Sequence, residues 1–326
     1  MIRSVITGTG SALPANCVTN ADLAAKVDTS DEWIVERTGI RQRYIADDSQ
    51  TTSSLATVAA RNALDAAGVD AGEIGLIVLA TATPDHTFPA TATQVQAALG
   101  CGGGVAFDVQ AVCSGFLYAL ATADSLLRTG MADKALVIGS ETFSRILDWD
   151  DRTTCVLFGD GAGAAVIGEG DHSGILAAQF ATWPSGYEAC TIGSGGTRFD
   201  FEKEAELFAA NSKFTMDGKE LFRLTAKHFG SFVSELLERA NTKREDIVRV
   251  IAHQASPGAL AHMAKICDFR EEQVVNIAAR FGNQISASIP FTLDYARKTG
   301  AVRRGDRIVI LGTSAGVSFG GLVMDL

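Results

Sequence analysis

The chain has 326 residues, with 28 Lys and Arg against 38 Asp and Glu, a formal net charge of −10. That length can bury a large core and exceeds the usual single domain, so two domains or a duplicated fold is the default. The acidic balance argues against nucleic acid as a partner, because phosphate binding needs an electropositive surface.

The six cysteines show neither paired metal-ligand spacing nor a dense disulfide framework, so no metal site and a reducing compartment are expected. Met1-Ile2-Arg3-Ser4 leads straight into the strand-like Val5-Ile6-Thr7-Gly8, without a signal-peptide pattern. No apolar run reaches the ~18 residues of a membrane span, so a soluble cytoplasmic protein is expected, without a membrane partner.

Strand-like and helix-like runs alternate along the chain. Residues 54–67 read as an alanine-rich helix, 76–80 as a strand, 90–99 as a helix and 105–109 as a strand. Residues 114–127 follow as a helix and 135–139 as a strand. The short continuous apolar runs predict strands buried on both faces, which is α/β layering. Gly159-Asp160-Gly161-Ala162-Gly163 invites a dinucleotide-binding reading, but that pattern must open a helix, and Ala165-Val166-Ile167-Gly168 is strand-like. A tight turn with close backbone packing is the better expectation. The glycine-rich stretch 168–174 reads as an exposed turn joining two halves. Beyond it the rhythm repeats: helix 231–240, strand 248–252, helix 257–266 and strand 307–311.

Three residues carry candidate chemistry. Cys113 lies between the strand 105–109 and the helix 114–127, where unpaired backbone N–H groups and the helix dipole favour a thiolate nucleophile. Cys17, Cys101, Cys155, Cys190 and Cys267 fit the ordinary role of buried apolar filler. His253 directly follows the strand 248–252, whereas His86, His172, His228 and His262 read as surface or structural. Asn283, in Phe281-Gly282-Asn283-Gln284, alone reads as a helix N-cap. Each of the three sits at a strand end or helix mouth, and in doubly wound sheets those ends converge on one crevice.

Together with the Cys113 segment, four further motifs make the chain resemble the β-ketoacyl-acyl-carrier-protein synthase III family of thiolase-like condensing enzymes. They are Asp28-Thr29-Ser30-Asp31-Glu32-Trp33-Ile34 with Arg37-Thr38-Gly39-Ile40-Arg41, Phe158-Gly159-Asp160-Gly161-Ala162-Gly163-Ala164, His253-Gln254-Ala255, and Gly282-Asn283. The resemblance implies a thiolase-like α/β fold of duplicated α/β/α/β/α layers. Two pseudo-equivalent halves, 1–170 and 171–326, would each hold a mixed five-stranded sheet.

It also implies a mechanism. Cys113 would take an acyl group from an acyl-CoA. His253 and Asn283 would hydrogen-bond the thioester carbonyl of malonyl-acyl-carrier-protein and stabilise the enolate left by decarboxylation. The backbone N–H groups of Cys113 and Ala315 would form the oxyanion site. The family's CoA contacts fall at Thr29, Trp33, Arg37, Arg152, Gly218, Ala255 and Ser256. Its acyl pocket falls at Phe88, reaching in from a dimer partner, with Phe143 and Phe158. Arg223 falls at a basic carrier-docking position; Lys219 and Lys227 share its stripe if that segment is helical, and Lys265 supports it. A homodimer is implied, with both thioesters as substrates and no cofactor.

Four departures stand out. Ser256 replaces the common Asn, Gly258 falls where a basic docking residue is usual, Gln284-Ile285-Ser286 replaces Thr-Ser-Ala, and Gly312-Thr313-Ser314-Ala315-Gly316 replaces three consecutive glycines. These leave open a pathway-specific synthase with an unusual primer, such as a dicarboxylic acyl-CoA for biotin precursor synthesis. A thiolase needs a second cysteine in the C-terminal glycine-rich segment, and 312–321 has none. A non-catalytic scaffold is the remaining alternative, against which the intact Cys113, His253 and Asn283 speak.

Overall fold

The computed structural model describes residues 3–170 and 174–326. β1 (Arg3–Ala12) is followed by β2 (Cys17–Thr19), α1 (Asn20–Ala24), α2 (Asp31–Thr38) and β3 (Gln42–Tyr44), with β2 and β3 paired as a small antiparallel ribbon. Ser30 caps α2 by accepting the Trp33 N–H at 3.1 Å. A Thr51–Ser54 capping box opens α3 (Thr52–Ala67). Then come β4 (Leu76–Ala80), α4 (Thr91–Leu99), β5 (Val105–Val109), α5 (Gly115–Arg128), β6 (Lys134–Glu141) and β7 (Gly161–Gly170).

These strands form a five-stranded sheet of order β1-β7-β6-β4-β5. β4 runs parallel to both β5 and β6, while β7 is antiparallel to β1 and β6, so the sheet is mixed. The Gly159–Gly163 segment runs into β7 rather than a helix, as its β-like continuation predicts. A Cβ on Gly163 would lie 2.4 Å from the Phe291 backbone N, the close packing that keeps this position glycine.

The second series is β8 (Gly174–Thr182), β9 (Cys190–Ile192), α6 (Ala205–Ala210), β10 (Phe214–Met216), α7 (Gly218–Arg239), β11 (Arg249–Ala252) and α8 (Pro257–Ile266). It closes with α9 (Ala278–Phe281), α10 (Ser288–Lys298), β12 (Arg307–Ser314) and β13 (Ser318–Asp325). Its sheet, of order β11-β12-β13-β8, has four strands where five were expected. The fifth place holds one parallel bridge, Val250 to Val274. Gln273 donates to the carbonyls of Ile247 (2.6 Å) and Arg244 (3.0 Å), tying down the turn before Val274, and the pairing extends no further. Of the expected 168–174 turn, Gly168 and Gly170 belong to β7 and Gly174 opens β8; residues 171–173, His172 among them, lie outside the described residues.

The two sheets and three helical layers stack through period-2 alternation. Ile77 and Leu79 of β4 pack with α3 and α4, while Leu76, Val78 and Ala80 face the central layer of α5 and α10. Ile308 and Ile310 of β12 meet that same central layer from the other sheet, and Val309 and Leu311 pack under α7 and α8. Each fully buried aliphatic side chain contributes about 1.5–3 kcal/mol. β1 and β5 are the edges of the first sheet, and Val105 of β5 is 42% exposed. No helix among the described residues is long and apolar enough to cross a membrane.

Candidate active site

Cys113 sits in a one-turn 3-10 segment, Val112–Ser114, between β5 and α5. Val112 before it has φ +48, a conformation that costs a β-branched residue free energy and is found where a site over-determines the backbone. The second half repeats this device. Ile285 has φ +51 and opens the 3-10 segment Ile285–Ala287, which leads into α10.

The structure does not favour the expected thiolate. Burial pushes the Cys113 thiol well above its ordinary value; nearby Cys190 and Glu141 add to this, and a bond from its own backbone N–H offsets only part. The helix terminus is outweighed because the thiol stands on a 3-10 turn ahead of α5, against an apolar cluster containing Phe158 and Ile285.

Asn283 is placed by two backbone hydrogen bonds. Its N–H donates to the Leu157 carbonyl (2.9 Å) and its carbonyl accepts from Gly159 (3.0 Å), and together they form a parallel bridge to Phe158. The Ile285 N–H donates to Asn283 Oδ1 at 2.9 Å, which fixes the amide and leaves its NH2 as donor. The helix-cap reading of Asn283 therefore gives way to an isolated bridge position with an oriented amide, just ahead of the Ile285–Ala287 turn.

His253 extends the β11–β12 pairing, its N–H donating to the Leu311 carbonyl at 2.9 Å. It is buried, which lowers its pKa to about 4 despite an opposing backbone bond with Ile285, so the ring is neutral at physiological pH. Gln254 locks this strand end: its amide NH2 donates to the carbonyls of Ala252 and Val275, both at 2.9 Å, and its Oε1 accepts from Ile277 N at 2.9 Å.

Cys113, His253 and Asn283 line a single cavity of about 290 Å³, together with Gly218, Ala255, Ser256 and Ala315. Phe158 and Phe214 form its aromatic end. Phe143 stands behind them rather than in the wall, 4.9 Å from Phe158 and 5.0 Å from Phe214 between ring centroids. Phe88 is 83% exposed and does not line this cavity. Phe214 escaped the sequence reading because it lies in a three-residue strand without visible periodicity.

Thr29, Trp33, Arg37 and Arg152 also stand outside the cavity wall. Trp33 packs on the same apolar cluster as Cys113, and the Arg152 guanidinium lies 5.2 Å from its ring centroid, held by the Asp28 carbonyl at 2.8 Å. The Thr29 hydroxyl is buried without a hydrogen-bond partner, and Arg37 is exposed in the last turn of α2. Ser256 caps α8 through the Ala259 N–H at 3.2 Å. Lys219, Arg223 and Lys227 are exposed along α7, as is Lys265 on α8. Arg223 is engaged by Glu220 through bonds of 2.8 and 2.5 Å, so the stripe carries less free charge than its composition implies. Among the described residues no group of three or more His, Cys, Asp or Glu could hold a metal.

Two stacked α/β halves, one supplying a cysteine on a strand-to-helix turn and the other a histidine and an asparagine, define a thiolase-like condensing enzyme. A family profile described as 3-Oxoacyl-[acyl-carrier-protein (ACP)] synthase III matches residues 107–184, and its C-terminal counterpart matches 237–326. The chain belongs to the β-ketoacyl-acyl-carrier-protein synthase III family, whose members are acyltransferases. It is 50% identical over 324 residues to the synthase III of Erythrobacter litoralis and 49% identical over 326 to that of Novosphingobium aromaticivorans, with 98% of each chain covered. The crystal structure of 3-oxoacyl-[acyl-carrier-protein] synthase III from Aquifex aeolicus superposes with TM-score 0.91 at 40% identity over 100% of both chains. The priming β-ketosynthase of the R1128 polyketide pathway superposes with TM-score 0.93 at 32% identity, over 99% of this chain and 96% of that one.

Proposed function

We propose that the chain condenses a short acyl-CoA primer with malonyl-acyl-carrier-protein, giving 3-ketoacyl-acyl-carrier-protein, CO2 and CoA, as the initiating step of type II fatty acid synthesis. The observation that carries this reading is the single apolar cavity lined by Cys113, His253 and Asn283. Cys113 sulfur attacks the primer thioester carbonyl, its proton leaves with CoA, and the acyl group stays on sulfur. The backbone N–H of Cys113, with that of Ala315 at the cavity wall, serves the tetrahedral oxyanion.

The malonyl thioester then takes the place CoA vacates. Its carbonyl accepts hydrogen bonds from the neutral His253 ring and the Asn283 NH2. As the C–C bond to the carboxylate breaks, those donors meet the charge that develops on the enolate oxygen. The enolate carbon attacks the acyl-cysteine, the C–S bond breaks, and the departing Cys113 thiolate takes a proton from solvent to return as the thiol. No step calls for a cofactor or metal.

CoA is held outside the cavity by Thr29, Trp33, Arg37 and Arg152, and at its mouth by Gly218, Ala255 and Ser256. The unmet Thr29 hydroxyl supports this placement. Arg223, Lys219, Lys227 and Lys265 receive the acidic carrier protein. The chain works as a cytoplasmic homodimer, each subunit built of halves 1–170 and 171–326, with Phe88 completing the partner's acyl pocket; its exposure and the open β5 edge support that assembly.

The second reading is a pathway-specific synthase with an unusual primer, favoured by the altered segments at 256–258, 284–286 and 312–316. A panel of acyl-CoA primers with malonyl-carrier protein, read by mass spectrometry, tests both. Acetyl-CoA preferred over longer, branched or dicarboxylic primers supports initiation of fatty acid synthesis. Preference for one of the others supports the second reading, and no condensation with any primer overturns both.

A further inference from the structure

The turn after Asn283 is Gln284-Ile285-Ser286, and the structure gives each of the three a distinct place. Ile285 adopts φ +51, and a β-branched side chain is among the least tolerant of that conformation. The same residue's N–H holds Asn283 Oδ1, so any relaxation of the turn toward ordinary φ swings the catalytic amide.

The two flanking residues both tether the turn through side-chain hydrogen bonds. Gln284 Nε2 donates to the Asp160 carbonyl at 3.2 Å. Ser286 Oγ lies 2.6 Å from Glu141 Oε1 and 3.0 Å from the Ala80 carbonyl, with its single proton shared between them. Glu141 is itself fully buried and fixed from the other side by Ala82 N (3.0 Å) and the Thr83 hydroxyl (2.6 Å). The turn lies hard against the sheet here: a Cβ on Gly139 would stand 2.3 Å from the Ser286 carbonyl oxygen.

We propose that Ser286, bonded to Glu141, is a positioning residue that holds the strained Ile285 turn and thereby the Asn283 amide, with Gln284 as a second tether, and that this pair offsets the strain at Ile285. The proposal rests on the condensing function argued above, because Asn283 acts there only in decarboxylation and condensation. An amide displaced by about 1 Å loses up to roughly 100-fold in rate.

The test is a cycle of S286A, I285S and the double variant I285S/S286A, which removes the β-branched side chain and the tethering hydroxyl together. Acyl loading from acetyl-CoA is read by intact mass, decarboxylation by release of CO2 from malonyl-carrier protein, and folding by thermal melt. S286A is expected to decarboxylate roughly 10-fold or more slowly while loading within twofold of wild type. The double variant is expected to return to within about threefold of wild-type decarboxylation, a non-additive recovery that a general loss of stability would not produce. S286A decarboxylating like wild type, loading and decarboxylation falling together, or a double variant as slow as S286A would each overturn the proposal. Wild-type protein that loads and decarboxylates while S286A is unaffected sinks this inference alone; wild-type protein without decarboxylation sinks the functional reading with it.

Discussion

A thiol that must lose its proton to attack sits where charge is poorly tolerated. Burial is the first cause, and the Cys190 and Glu141 side chains reinforce it. Alkylation of Cys113 by iodoacetamide is therefore expected to rise with pH through a midpoint above the ordinary thiol value of 9.0; a midpoint below about 8 would show an activated thiolate instead. His253, lowered to about 4, is neutral throughout the working range and suits a hydrogen-bond donor better than a resting-state base. His253→Ala and Asn283→Ala should each lose decarboxylation and condensation by ~10²–10³ while still accepting an acyl group from acyl-CoA. Normal condensation by both variants would make these residues structural. The residue types were legible in the sequence, since cysteine and histidine each stood at a predicted strand end and asparagine at a predicted helix mouth. The protonation state of Cys113 was not, because desolvation comes from Phe158, Ile285 and other side chains remote in sequence.

At the scale of elements, local signals fared best where they were strongest. Residues 257–266 were read to the residue as α8, because Ser256 caps it and Pro257 takes its first position. Residues 76–80 and 105–109 likewise match β4 and β5. The helix predicted over 231–240 instead runs as α7 from Gly218, because Asp217 Oδ1 accepts from Lys219 and Glu220 and nucleates it two turns and more before the apolar stripe becomes dense. β9 and β10 were invisible as three-residue strands, defined only by each other.

The longer α7 carries Lys219, Arg223 and Lys227 on one helix, which gives the carrier-docking proposal a surface to act through. Arg223→Glu should raise the apparent KM for malonyl-carrier protein at low ionic strength, with acyl-CoA loading unchanged and the defect shrinking as salt is added. Pairing with Glu220 and the absence of a basic residue at 258 argue for a modest effect, several-fold rather than a hundredfold. Equal carrier kinetics for the variant and wild type at low salt would remove α7 from the docking surface.

For the whole molecule, the alternation of apolar runs was enough to predict layered α/β architecture, while the missing fifth strand of the second sheet depends on Gln273, whose partners Arg244 and Ile247 no local pattern announces. Stability should carry the mark of the buried polar centre between the two halves. Glu141 is raised from 4.5 to about 7 by burial, against the bonds from Ser286, Thr83, Ala82 and Thr81. Between those values the folded state binds more protons than the unfolded chain, so this group's contribution is fully present below pH 4.5 and lost as pH rises through 7, by about 3 kcal/mol. His253 slopes the opposite way, losing stability as pH falls from 6.5 toward 4. Glu141→Gln removes the first slope alone. Its urea midpoint relative to wild type should therefore improve from pH 5 to pH 8, and a difference independent of pH would contradict a neutral buried Glu141.

The central claim, that Cys113 carries the acyl group between two thioesters, is tested most directly by intact-mass spectrometry of wild type and Cys113→Ala after exposure to acetyl-CoA and then malonyl-carrier protein. The account predicts one acyl adduct on wild type, mapped to Cys113 and discharged as 3-ketoacyl-carrier protein, and none on the variant; an adduct that persists on Cys113→Ala, or condensation by that variant at the wild-type rate, would contradict it.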